Sequence, residues 1–169
     1  RSYSKFFIFL IYSLLLTPTN FFATNIEHGN SVDAIQANPC KETEFATASH
    51  DKTIMVWDAP SYKCRMIIKG HELGVWAVSY DRPTGTKLIS CSPDKLVKIW
   101  DISQANAPPQ FKHNSLLLQA VFDNDANFVA SVGADKVLNY WDLRNTSAPV
   151  TSFNDSPNVL MSCDFMPND

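Results

Sequence analysis

Histidine, a hydroxyl residue and aspartate are the parts of a hydrolytic relay, in which the carboxylate orients the imidazole and the imidazole takes the proton of the attacking hydroxyl. This 169-residue chain contains such a set three times. His28, Thr47 and Asp51 form the first, His71, Ser90 and Asp94 the second, and His113, Ser131 and Asp135 the third. Each set precedes a tryptophan: Trp57, Trp100 and Trp141. The hydroxyl stands ten residues and the aspartate six residues before that tryptophan in every copy, and the histidine 29, 29 and 28 residues before it. One set is enough for catalysis, whereas a structural device recurs in every unit that needs it. The competing chemistry is a buried hydrogen-bond network, because an orphaned indole N–H or imidazole costs about 1–3 kcal/mol. No serine lies in a Gly-x-Ser-x-Gly setting, which weakens the hydrolase reading further.

The elements that must position these residues follow from the period. The tryptophans stand 43 and 41 residues apart and each is followed by Asp58, Asp101 or Asp142, a spacing that marks an array of supersecondary units. In the middle unit, Val75–Tyr80, Lys87–Cys91 and Leu96–Trp100 are short runs rich in β-branched and aromatic residues, which predict strands. Asp81–Gly85 and Ser92–Asp94 supply the turn residues between them. A fourth, outer strand is predicted over Tyr62–Ile68, with shorter, proline-bearing counterparts after Trp100 and Trp141. The aspartates after tryptophan are expected to end the strand and organise the next turn, with no metal role.

Gly70-His71, Ser90-x-Ser92-x-Asp94 and Ile99-Trp100-Asp101, with their equivalents in the flanking copies, resemble the WD40 repeat family of β-propeller proteins. The resemblance covers about residues 26 to 169. It implies an all-β fold: a partial WD40 β-propeller of three four-stranded antiparallel blades plus the first strand of a fourth. It also implies a tetrad in each blade, running from the tryptophan N–H to the hydroxyl, the histidine and the aspartate. By position these are Trp57–Thr47–His28–Asp51, Trp100–Ser90–His71–Asp94 and Trp141–Ser131–His113–Asp135. The repeats are expected at 26–68, 69–110 and 111–153, with an incomplete fourth at 154–169. Lys112 replaces the glycine before His113, Ala37 stands where the other copies have Tyr80 and Phe122, and Ser156 occupies a histidine position. The last departure predicts a fourth blade without the polar network.

Composition narrows the function. The net charge is −3 and no two lysines or arginines are adjacent, so nothing indicates a nucleic-acid footprint. Cys40, Cys64, Cys91 and Cys163 form no Cys-x-x-Cys pair and no zinc spacing. Glycine-rich phosphate loops and paired carboxylates are missing from the sequence. Neither a cofactor nor a metal is expected, and a reducing compartment, cytoplasmic or nuclear, is the expected setting. Phe6–Leu16 holds ten apolar residues in eleven. That is short of the roughly 20 a membrane helix needs, but matches a signal-peptide core behind Arg1 and Lys5. Residues 1–25 therefore read as a hydrophobic leader or as a gene-model artefact. A genuine leader would make the molecule a membrane-tethered or secreted propeller. Three units cannot close a disc of four to eight blades, so the sequence reads as a fragment.

In a propeller the histidine loop and the aspartate turn meet on one rim, where loops from every blade collect. Its candidate partner-binding positions are Asn30, Ser31 and His50; Leu73, Gly74 and Pro93; and Ser115, Leu116 and Ala134. This mixed, weakly charged surface suits a protein or peptide. As the resemblance implies, the expected function is a non-catalytic protein–protein interaction scaffold of a multiprotein complex, and the enzyme reading is the alternative.

Overall fold

A computed structural model describes residues 28–103 and 110–166. All regular structure there is β, in three four-stranded antiparallel sheets that each follow chain order. The first comprises β1 (Val32–Ala37), β2 (Glu44–Ser49), β3 (Thr53–Asp58) and β4 (Lys63–Lys69). The second comprises β5 (Ala77–Tyr80), β6 (Lys87–Cys91), β7 (Leu96–Asp101) and β8 (Gln110–Lys112). The third comprises β9 (Leu117–Phe122), β10 (Phe128–Gly133), β11 (Leu138–Asp142) and β12 (Thr151–Phe153). The expected three-blade, all-β architecture is therefore present.

The core lies between the sheets. Ala46, Ala48, Ile54, Val56 and Ile68 of the first blade pack on Val75, Val78, Tyr80, Leu88 and Trp100 of the second. Ile89, Cys91, Val97, Ile99 and Phe111 leave the other face of the second blade to meet Leu117, Ala120, Phe122, Val129 and Trp141 of the third. Period-2 alternation explains this division: successive strand residues point to opposite faces, so Leu88 serves one seam and Ile89 the other. A middle blade must then be apolar on both faces, as β6 and β7 are.

Two predicted elements differ in detail. Val75 and Trp76 precede β5 because their N–H groups are diverted, to Ser49 O at 2.9 Å in the previous blade and to Cys91 O at 3.0 Å. Residues 154–166, expected to open a fourth unit, form no ladder among the described residues. That segment instead rests on the third blade through Cys163 N–H to Gln119 Oε1 at 2.8 Å and Asn124 Nδ2 to Met166 O at 2.7 Å. A strand is defined by its hydrogen-bonded neighbour, and none is available here. The leader expected at 1–25 lies outside the described residues. Among the described residues, no helix is long and apolar enough to cross a membrane.

Candidate functional site

In the second blade the polar residues form one chain. Trp100 Nε1–H donates to Ser90 Oγ at 2.8 Å, Ser90 Oγ lies 2.8 Å from His71 Nε2, and His71 Nδ1 lies 2.8 Å from Asp94 Oδ2. Sheet register places them: Leu88 pairs with Trp100 and Ser90 with Lys98, so the indole reaches diagonally along the same face. The first blade repeats the geometry, with Trp57 to Thr47 at 2.8 Å, Thr47 to His28 at 2.7 Å and His28 to Asp51 at 2.8 Å. Each aspartate also accepts from the backbone after its histidine, Gly29 N–H at 2.8 Å and Glu72 N–H at 3.0 Å. It closes its own turn through Thr53 N–H at 2.9 Å or Leu96 N–H at 3.0 Å. One carboxylate thus ties the histidine loop to the aspartate turn.

The third blade departs from the expected pattern. Trp141 donates to Ser131 at 2.8 Å and Ser131 lies 2.9 Å from His113 Nε2, but Asp135 forms no bond to His113 among the described residues. His113 Nδ1 meets Asn139 Nδ2 at 3.2 Å instead, and Asn139 Oδ1 accepts from Ser152 Oγ. The reason is positional. Asn139 stands two residues before its tryptophan, where the other blades carry Met55 and Lys98, and its amide reaches the ring that a carboxylate serves elsewhere. Asp135 is left to close its turn through Val137 N–H at 3.3 Å.

The electrostatics follow the bonding. Burial pushes the His71 ring below its ordinary value, while the bond and charge of Asp94 oppose that shift. For His113 burial dominates, with only the distant charge of Asp135 against it, and the ring is held down at about 4. Burial would raise the Asp51 carboxyl, yet hydrogen bonds from Thr53, His28 and Gly29 together hold it at about 2. Thr53 is a further member of this network, 2.6 Å from Asp51 and 3.2 Å from His28. Its only signal in the sequence was a hydroxyl two residues after the aspartate.

Chemically, the connectivity matches a hydrolytic relay but the accessibility does not. Ser90 and Ser131 are 1% and 0% exposed, and each hydroxyl already accepts an indole N–H. Neither has an open face for a substrate carbonyl. Among the described residues no group of three or more metal-ligating side chains is assembled. Asp58, Asp101 and Asp142 close the turns that follow their strands, accepting from Ser61, Ser103 and Arg144 N–H at 3.0, 2.8 and 2.9 Å.

The rim lies beside these networks. Asn30, Ser31, His50, Leu73, Leu116 and Ala134 are exposed there, and Pro93 and Ser115 half-buried. Gly74 is buried, because the His50 ring lies about 3.2 Å from where its Cβ would stand. His50 bonds Asp33. Lys52, Lys95 and Lys136, outside the predicted rim set, occupy the left-handed position of each aspartate turn (φ 73, 71 and 66°) and are exposed on the same rim. Their repetition after Asp51, Asp94 and Asp135 was the available signal.

Comparison with known proteins agrees with this geometry. The family model for "WD domain, G-beta repeat" matches residues 20–58 and 62–101. The chain is 25% identical over 141 residues to the E3 ubiquitin-protein ligase COP1 of Pisum sativum, covering 83% of this chain and 21% of that protein. It is 30% identical over 140 residues to WD repeat-containing protein 1 of Bos taurus, covering 79% of this chain and 22% of that protein. Nuclear distribution protein PAC1 of Ajellomyces capsulatus is 40% identical over 75 residues. The chain thus spans about a fifth of the length of the curated relatives it matches first. With its three four-stranded blades, its repeated Trp-Asp strand ends and these matches, the chain belongs to the WD40-repeat family.

Proposed function

We propose that this chain acts within a non-catalytic interaction scaffold, holding segments of partner proteins on the rim where the histidine loops and aspartate turns meet. The observation that carries the reading is the use of the His-Ser-Asp chemistry. In two blades every member is engaged within its own blade and the hydroxyl is buried. What the repeats leave exposed is loop surface. That surface mixes Leu73 and Leu116 with Lys52, Lys95, Asp33 and Glu72, a composition that suits peptide recognition and does not steer a polyanion. The scaffold works within a multiprotein complex in a cytoplasmic or nuclear setting.

Charge introduced at the rim tests it. In the full-length disc, Leu73→Arg and Leu116→Arg should weaken a mapped peptide ligand about tenfold, since core contacts of an interface carry most of its energy, while the thermal midpoint stays put. A full-length disc that captures no peptide from a broad array would end the reading. Hydrolytic turnover abolished by His71→Ala in a still-folded protein would replace it with the enzyme alternative.

A further inference from the structure

The perimeter of the first blade differs from the other two. β12 is three residues long, whereas β4 runs seven residues, Lys63–Lys69; β8 is described only from Gln110 onward. Among the described residues no strand lies beyond it in the sheet. Met66 and Ile67 are 39% and 53% exposed at its centre. A long edge of this kind is a template for another extended chain. Being at the circumference, it stays open however many blades complete the disc.

Charge decides what the edge accepts. β4 carries Lys63, Arg65 and Lys69 and no acid, in a chain whose net charge is −3. Arg65 is engaged by Glu44 at 2.7 Å, and Lys63 stands opposite Asp58. Lys69 pairs across to Thr53, an uncharged residue. Antiparallel pairing of β4 with a second copy of itself about Met66 would set Lys63 against Lys69 twice over, and like charges directly opposite are destabilising. A partner strand with carboxylates six residues apart meets both lysines instead, with apolar residues between them against Met66 and Ile67.

We propose that β4 is a second docking surface, separate from the rim, that captures an extended acidic peptide as a fifth strand of the first blade. The probe is the capped peptide Glu-Thr-Val-Val-Thr-Thr-Glu, whose glutamates in antiparallel register stand opposite Lys69 and Lys63 and whose valines stand opposite Ile67 and Met66. It is titrated into the full chain while the amide resonances of β4, β8, β12 and the rim loops are followed. Shifts should concentrate on residues 63–69. Affinity should exceed that of the Lys-ended version at least tenfold at low salt, and the gap should narrow as salt screens the pairs. Methylating alternate amides of the probe should abolish binding, and Lys63→Glu with Lys69→Glu should invert the preference between the two peptides. Equal binding of acidic and basic probes overturns the proposal. So do tolerance of amide methylation, shifts on the rim or on β8 and β12, dimerisation of the chain through β4, or no binding at all. The wild-type comparison of the two probes stands even where the double variant folds poorly, and only shifts on the rim would bear on the rim reading, which they would favour.

Discussion

At the scale of single residues, the hydroxyl at the centre of each network is the most exacting position. Ser90 Oγ serves the Trp100 indole and the His71 ring at once, so Ser90→Ala strands two buried polar groups. Chemical denaturation should show a loss of roughly 3 kcal/mol, since each orphaned group costs about 1–3. Tyr80 presents the opposite case. Its hydroxyl is buried and makes no hydrogen bond of acceptable geometry among the described residues, and burial together with the nearby Glu44 carboxylate pushes its acidity down, raising the pKa. Tyr80→Phe should leave stability unchanged or raise it by about 1 kcal/mol, read from the urea midpoint. Protonation separates the third blade from the others. The unfolded chain takes up a proton at His113 near 6.5, while the folded ring resists until about 4. Between those values the unfolded state binds more protons, so stability is full above 6.5 and falls as pH drops towards 4, by roughly 3 kcal/mol at most. His71, also held below its ordinary value by burial, contributes with the same sign. Asp51, held at about 2, keeps its contribution down to its ordinary value of 3.8 and loses it only below. Denaturation midpoints measured from pH 7 to pH 4.5 should flatten in His113→Gln.

At the scale of elements, turns and loops clamp the blades to each other. Asn38 follows β1 and donates to Gly85 O at 2.7 Å across the first seam, while accepting from Cys40 N–H at 2.9 Å and donating to Glu44 at 2.9 Å. Gly85 has φ +61°, and a Cβ there would stand 2.1 Å from Asn38 Oδ1. Gly85→Ala should therefore cost about 2 kcal/mol or more, from left-handed strain plus a displaced buried amide. Thermal unfolding measures it, and Asn38→Ala in the same background should add little because the two changes break one clamp. The close approach of Leu116 O to Gly133, 2.6 Å from where its Cβ would lie, makes a comparable demand in the third blade.

At the scale of the molecule, stability belongs to the seams. Trp100 packs on the first blade and Trp141 on the second, while Trp57 stacks on Phe45 of its own sheet at 5.9 Å. A blade excised from its neighbours loses the partner for both apolar faces and keeps only its internal polar chain. A peptide covering 69–110 should show no cooperative transition and the circular dichroism of an unfolded chain. In the intact chain, Leu88→Ala on one seam and Val97→Ala on the other should each cost roughly 2–3 kcal/mol, Leu88 the more, at the urea midpoint.

The sequence by itself carried the period, the four-strand build of each of the three blades and the identity of the polar partners in the first two blades. These depend on spacing along the chain, and a repeated spacing of His, Ser or Thr, Asp and Trp is visible without coordinates. Asn139 shows where that stops. Nothing in a linear reading reveals that an amide two residues before Trp141 displaces Asp135 at His113, because the choice depends on which side chain the sheet register brings nearest the ring. The start of β5 was hidden likewise, since Val75 bonds a carbonyl in the preceding blade. The burial of Gly74 under His50 and the long charged edge of β4 were decided by packing between units. Local chemistry is written in intervals along the chain, and competition between distant groups for one partner is settled only when the blades stand side by side.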